Sequence, residues 1–162
     1  MAAEYSANAT QVVQPNASVI FTETPVPCNR GMVYHRDESG LFRLASPAAL
    51  GYNCRRCCCS DYPTANYGVS FHANISLPTD PAGTVEPISL AVAVDGEIDP
   101  SSIMTVTVPL VSDTAGDNVG SDIVVAVPCI CRCSSVSIRN ISTQPVNVMN
   151  ANLKFDFEGI CR

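Results

Sequence analysis

The chain has 162 residues, 46% hydrophobic and 15% charged, with a formal net charge of −6, which suits one domain with a single core and leaves too many apolar side chains for disorder. Lys154 is the one lysine, and between Arg56 and Arg132 there are nine acids, from Asp61 to Asp122, and no Lys or Arg, so the clustered cations that neutralise phosphates are missing and nucleic-acid binding is not expected. No run approaches the roughly 18 apolar residues of a membrane span, and the opening MAAEYSANATQVVQPN has neither a basic nor an apolar leader region, so neither membrane insertion nor signal-directed export is expected.

In chain order, residues 1 to 16 are polar, carry no charge except Glu4 and show no periodicity; they read as an N-terminal arm, flexible or pinned onto a neighbour. A single domain is expected over 17 to 162. Its short runs rich in Val, Ile, Thr and Phe predict strands at Ser18 to Glu23, Met32 to His35, Leu41 to Leu44, Tyr67 to Ser76, Ile88 to Val94, Ser102 to Leu110, Ile123 to Val127, Val136 to Ile141 and Val146 to Phe157. Ser46 to Leu50 reads as one helical turn at best. Val69, Phe71, Ala73 and Ile75 share one strand face, and so do Met104, Val106, Val108 and Leu110. Val146 and Val148 are in one phase and Leu153, Phe155 and Phe157 in the other, so a bulge is predicted between Met149 and Asn152. Asp95-Gly96 marks a hairpin, and residues 77 to 83 and 112 to 118 read as loops. The pattern predicts an all-β antiparallel β-sandwich of jelly-roll topology.

Nine cysteines are far more than a cytosolic chain ordinarily carries. Cys54, Cys57, Cys58 and Cys59 form a Cys-rich loop at 54 to 59, Cys129, Cys131 and Cys133 alternate, and Cys28 and Cys161 stand alone. On a strand the alternating three lie about 6.6 Å apart per step, so each pairs more naturally with another segment than with its neighbour. Disulfides are the plainer expectation, and the odd count leaves a free thiol or an intermolecular bridge. The sharper alternative is a thiolate zinc site, with Cys54 and Cys57 as one half and two of Cys129, Cys131 and Cys133 as the other. Redox catalysis would need C-x-x-C at a helix N-terminus in a βαβ setting, which is absent. Abundant cysteine without an export leader fits a protein made in a reducing cytoplasm and released by lysis, as virion and spore-surface proteins are.

Catalytic motifs are lacking. Asp95, Glu97 and Asp99 alternate in a loop where a hard cation could sit, but a solvated hairpin tip is the ordinary reading. His35 and His72 belong to no His-x-x-x-His pattern, and His72 falls opposite the Phe71 phase, at a surface. No Gly-x-Ser-x-Gly elbow and no Gly-rich phosphate loop occurs, so no enzyme is expected. The sequons at Asn8, Asn16, Asn74 and Asn140 carry little weight without a leader.

The succession Val69-Ser-Phe-His-Ala-Asn-Ile-Ser, Pro87-Ile-Ser-Leu-Ala-Val-Ala-Val-Asp-Gly, Ser102-Ile-Met-Thr-Val-Thr-Val-Pro and Val136-Ser-Ile-Arg-Asn-Ile-Ser-Thr-Gln-Pro-Val resembles the tumour-necrosis-factor-like and complement-globular-head-like jelly rolls, over residues 66 to 157. Such modules occur in bacterial surface proteins and phage structural proteins. The resemblance implies a homotrimer with one sheet of each subunit around the threefold axis, and the apolar faces of Tyr67 to Ser76 and Val146 to Phe157 in core and trimer interface. The Cys-rich loop is outside the general pattern, and there is no Gly-x-y stalk. The expected function is therefore a trimeric capsid decoration or head-fibre protein of a bacteriophage, assembled in the host cytoplasm and displayed on the virion surface. Its partners would be itself and a capsid or surface lattice. A disulfide-linked spore-coat or appendage fibre subunit on a bacterial spore or cell surface is the alternative. A carbohydrate- or receptor-binding module comes third, because without Trp a stacking platform is not evident.

Overall fold

The computed structural model describes residues 2–28, 31–36, 38–51, 63–81, 83–129 and 133–161, the side chain of Cys161 excepted. Along them run β1 (Ala2–Ala7), β2 (Gln11–Val13), β3 (Glu23–Val26), β4 (Val33–His35), β5 (Phe42–Ala45), β6 (Thr64–Ser76), β7 (Ile88–Val94), β8 (Glu97–Ile98), β9 (Met104–Val106), β10 (Asp117–Pro128), β11 (Cys133–Asn140) and β12 (Val146–Cys161), with one 3₁₀ turn at Pro100–Ser102. They form two antiparallel sheets. Sheet A has the order β10-β6-β12-β1-β3, with β2 also on β12, and sheet B the order β4-β5-β11-β7-β8, with β9 also on β7. The expected all-β jelly-roll sandwich is what the chain forms.

The period-two pattern sets which face is buried. In β6, Ala65, Tyr67, Val69, Phe71, Ala73 and Ile75 are all buried, while His72 between them is exposed. β7 and β11 send Ile88, Leu90 and Val92, and Val136 and Ile138, into the same core from sheet B. Between the sheets Phe42 meets Phe155 at 5.1 Å, Tyr5 at 4.8 Å and Phe21 at 5.4 Å between ring centroids. Ring contacts of this kind, edge-on for Tyr5 and Phe21 and tilted for Phe155, add to the apolar burial that dominates such a core.

The turn at Asp95-Gly96 has φ of 51° and 90°, and Val94 pairs with Glu97 across it, a two-residue hairpin with both central residues left-handed. The bulge falls where predicted. The β6–β12 register shifts between Met149 and Asn152, with Asn150 at φ 49°. Buried amides close the ends of the strands: Asn140 Nδ2 donates to Val13 O and Gln144 O, both at 2.9 Å, and Asn147 Nδ2 to Ser112 O at 3.2 Å.

Several expectations are corrected. The arm expected over residues 1 to 16 is, from residue 2 onward, part of sheet A: β1 pairs with β12 from Ala2↔Asp156 to Ala7↔Ala151, and β2 with β12 from Val13↔Val146 to Gln11↔Val148. Ala3, Tyr5, Ala7 and Val13 are buried, so this segment completes the core. Ser18 to Glu23 is mostly a crossing rather than a strand. There Val19 N donates to Ile138 O at 2.8 Å, Phe21 N to Ser39 O at 3.2 Å and Thr22 N to Ser6 O at 3.1 Å, tying sheet B to sheet A. The strand expected over Ser102 to Leu110 ends at Val106, because the chain then leaves β7 and Leu110 O accepts from Leu77 N at 2.7 Å, beyond β6. Val108 and Leu110 are accordingly exposed. Asp117 and Asn118, expected in a loop, open β10. Ser46 to Leu50 forms a single hydrogen-bonded turn, Leu50 N to Ser46 O at 3.2 Å.

Deleting residues 2 to 13 should abolish cooperative urea unfolding, and Tyr5→Ala alone should cost about 3 kcal/mol, in the range for truncating a buried aromatic side chain. Unchanged urea midpoints would restore the arm.

Candidate functional site

The strands bring the described cysteines to one pole of the sandwich. β6 begins there at Thr64, which pairs with Pro128 at the end of β10 and with Cys161 near the end of β12. Cys129 follows directly, its N–H donating to Pro63 O at 3.0 Å; it is buried and disulfide-bonded. Cys133 opens β11 opposite Ala45, the last residue of β5. It is exposed and free, as is the half-buried Cys28, whose Sγ accepts from Val33 N at 3.3 Å. Ala45 and Thr64, the strand ends on either side of the Cys-rich loop, thus both sit at this pole. Cys54, Cys57, Cys58, Cys59 and Cys131 lie outside the described residues. Among the described residues no group of three or more His, Cys, Asp or Glu is placed to hold a metal ion.

Tyr67 lines the floor of this pole, and Tyr5 packs deeper in the core against Phe42 and Phe155. Tyr67 Oη donates to Ala45 O at 2.8 Å, so the phenol is held by sheet B although it belongs to sheet A. Burial in the core pushes both Tyr5 and Tyr67 up to about 12, and the negative charge of the Cys28 thiolate adds to the effect.

Other residues singled out by sequence are spent structurally. Asp95 Oδ1 accepts from Ser135 N at 2.6 Å, and Asp99 Oδ1 caps the 3₁₀ turn by accepting from Ser101 N at 2.9 Å, while Glu97 lies in the exposed hairpin. Asn140 of the fourth sequon is fully buried with its amide engaged. His72 is exposed on the outward face of sheet A, where Gly120 leaves it room: a Cβ at Gly120 would collide with the imidazole. That face is polar. Asp122, Asp156 and Glu158 border a shallow hollow of about 280 Å³ floored by Gly68 and Ser70, and Lys154 pairs with Asp156 at 2.5 Å. The apolar faces of β6 and β12, expected to reach a subunit interface as well as the core, are spent mostly on the core: Tyr67, Phe71, Leu153 and Phe155 are at most 1% exposed, and Phe157 is half-buried.

Sequence reading missed the outward face of sheet B. Tyr34 of β4 pairs directly with Arg43 of β5, and with Arg36, Ser39 and Leu41 they enclose a hollow of about 390 Å³. The only signal available was that Tyr34 and Arg43 fall out of phase with the buried Val33, Phe42 and Leu44.

This architecture is a jelly-roll sandwich, and its fold is similar to that of tumour-necrosis-factor-like proteins. Murine APRIL superposes with a TM-score of 0.58 at 9% identity, covering 96% of this chain and 98% of the other. Eiger TNF from S. frugiperda does so with a TM-score of 0.58 at 11% identity, covering 96% and 90%. PRD1 vertex protein P5 is more distant, with a TM-score of 0.42 at 15% identity over 96% and 95%. No protein-family model matches the chain, and no curated protein matches it in sequence.

Two measurements follow. Unfolded tyrosines ionise near 10 and the two buried ones near 12, so the stability from burying neutral phenols is whole below pH 10 and is lost as pH rises through 12. Absorbance at 295 nm should therefore show these phenolates only near pH 12 or together with alkaline unfolding; their appearance in the folded protein near pH 10 would contradict this placement. Separately, brief iodoacetamide treatment of the native protein should label Cys133 first, Cys28 only on unfolding and Cys129 only after reduction, as read by peptide mass spectrometry.

Proposed function

We propose that this protein is a structural subunit of a bacteriophage virion surface, a capsid decoration or head-fibre protein that works as a homotrimer and catalyses no reaction. The observation that carries the reading is the gathering of the described cysteines, one of them free and exposed, at a single pole of a jelly-roll sandwich. A cross-link there, made by Cys133 or by the Cys-rich loop at 54 to 59, would tie strand ends or neighbouring subunits together once the particle leaves a reducing cytoplasm, and needs no metal or cofactor.

Edge protection supports self-association. β10 is a twelve-residue strand at the end of sheet A, with a ladder partner on one side only among the described residues, and it presents Val124, 58% exposed, on its outward face. A long edge of this kind invites pairing unless it is covered, and closure around a threefold axis covers it in every subunit at once. Val108, Leu110 and Val111, exposed at the crossing into β10, supply apolar area for the same contact. Because the apolar faces of β6 and β12 are spent on the core, the contact in this reading is made by the edge, the crossing and the polar outward face of sheet A.

Native mass spectrometry with and without reductant tests the reading. The expected species has three times the 17.2 kDa chain mass, lighter before reduction by two hydrogens per disulfide and free of metal adducts. A ladder of open oligomers that collapses on reduction would replace it with a fibre subunit. Zinc adducts would replace cross-links with a thiolate site, and a monomer under both conditions would end the proposal.

A further inference from the structure

The outward end of sheet B carries a built hollow that the structural role does not use. Its base is the cross-strand pair Tyr34 and Arg43, and Arg36, Ser39 and Leu41 complete the rim of a space of about 390 Å³. Arg43 also borders a second hollow of about 350 Å³, with Gly31, Ala49 and Cys133, so it stands as a ridge between two adjoining depressions. The hairpin behind them is held fast. Ser39 O accepts from His35 Nε2 at 2.9 Å and from Phe21 N at 3.2 Å, Ser39 N donates to Arg36 O at 3.2 Å, and Gly40 is packed so closely on Val19 O that a Cβ would not fit.

The chemistry of the rim is specific. Among the described residues the sole ion pair is Lys154 with Asp156, so in a chain of net charge −6 neither Arg36 nor Arg43 is neutralised by a described carboxylate. Guanidinium forks match a carboxylate bidentately, and an unpaired one retains its donors for a ligand. Between them Tyr34 is 62% exposed, a large rigid ring presented to solvent from a strand, with Leu41, 46% exposed, beside it. An exposed aromatic face beside fixed cations suits a ring that is apolar on one side and anionic at its edge. β4 is the edge strand of sheet B, but at three residues it is too short to template an added peptide strand, which disfavours an acidic peptide.

We propose that this hollow is a binding subsite for an acidic saccharide, with Arg36 and Arg43 holding the sugar carboxylate and Tyr34 lying against the apolar face of the ring. The ridge position of Arg43 lets a linear oligosaccharide continue into the second hollow. The hollow at Tyr34 contains no cysteine, so its test does not require a trimer; only the extension into the second hollow borders Cys133, the residue of the proposed cross-link.

Isothermal titration with trigalacturonate reads it directly, with its methyl ester, inorganic phosphate and a hexaglutamate peptide as comparisons. Trigalacturonate is expected to bind, its methyl ester to bind at least about tenfold more weakly, and Arg36→Gln, Arg43→Gln and Tyr34→Ala each to weaken binding by about tenfold, while Tyr34→Phe retains it. These side chains are exposed, so unchanged melting curves verify that the variants fold. The proposal is overturned by no binding of trigalacturonate, by equal binding of the ester, or by indifference to Tyr34→Ala. Phosphate or hexaglutamate binding as tightly as trigalacturonate would equally overturn it, leaving a general anion patch or a peptide site.

Discussion

Everything in sheet A turns on the pairing of β12 with β6 and on the bulge that re-phases it. Val146 and Val148 must face the core, and so must Leu153 and Phe155, yet the two pairs are in opposite phase. One register shift at Met149 to Asn152, with Asn150 in a left-handed conformation that Asn tolerates better than most residues, puts both on the same side. The same discontinuity partitions the N-terminal segment. β1 pairs with β12 on one side of the bulge, at Ala151 to Asp156, and β2 on the other, at Val146 to Val148, with residues 8 to 10 spanning the break. A β12 without the bulge would turn half its side chains to solvent and lose one of these two partners.

With the centre of sheet A fixed, the two poles follow. One pole collects strand ends that carry cysteines; the other is closed by amides. Asn147 accounts for Leu77 O, Ser112 O and Asp113 Oδ1, and Ser76 Oγ bonds Ser112 O as well. Asn140 accounts for Val13 O and Gln144 O. A carbonyl left unpaired in such a place would cost about as much as a lost hydrogen bond, so these amides hold the crossings between sheets in register. The cysteine pole relies instead on Tyr67 bonding across the sandwich to Ala45 O and on covalent chemistry at Cys129. Division of labour between polar locks at one end and sulfur at the other follows from where the chain crosses.

How much of this was legible in the sequence depended on side-chain size. The phase of Val69, Phe71, Ala73 and Ile75, the hairpin at Asp95-Gly96 and the bulge in β12 could all be read, because large apolar residues mark a face and Asp-Gly marks a turn. β1 could not: its buried positions are Ala3, Tyr5, Ser6 and Ala7, and two alanines and a serine out of four give no hydrophobic signal. Val108 and Leu110 misled for the opposite reason, since alternation persists in sequence past the point where the chain leaves the sheet. The cysteines could be listed but not placed, for nothing in their spacing says that Thr64, Pro128 and Cys161 meet. The pairing of Tyr34 with Arg43 exists only through the β4–β5 register, a long-range fact that composition does not hold.

The two outward faces are chemically unequal, and that inequality bears on what assembly does for recognition. Sheet A shows carboxylates, a histidine and small residues; the far end of sheet B shows guanidinium groups around an aromatic ring. A trimer with sheet A toward its axis leaves sheet B on the outside, where the hollow at Tyr34 is repeated three times. One such subsite, open to solvent and built from two cations and one ring, would bind weakly by itself. In the proposed assembly, three copies held at fixed spacing, and many trimers on one shell, would raise the effective concentration for a repetitive polymer and convert weak contacts into avidity of about 10²–10⁴-fold. Head-to-tail contact between the acidic face of one copy and the basic end of another would instead consume the hollow and propagate without closing. In the proposed trimer the same charge asymmetry would link closure to recognition: an arrangement that covers the β10 edge with sheet A inward would leave Arg36 and Arg43 accessible.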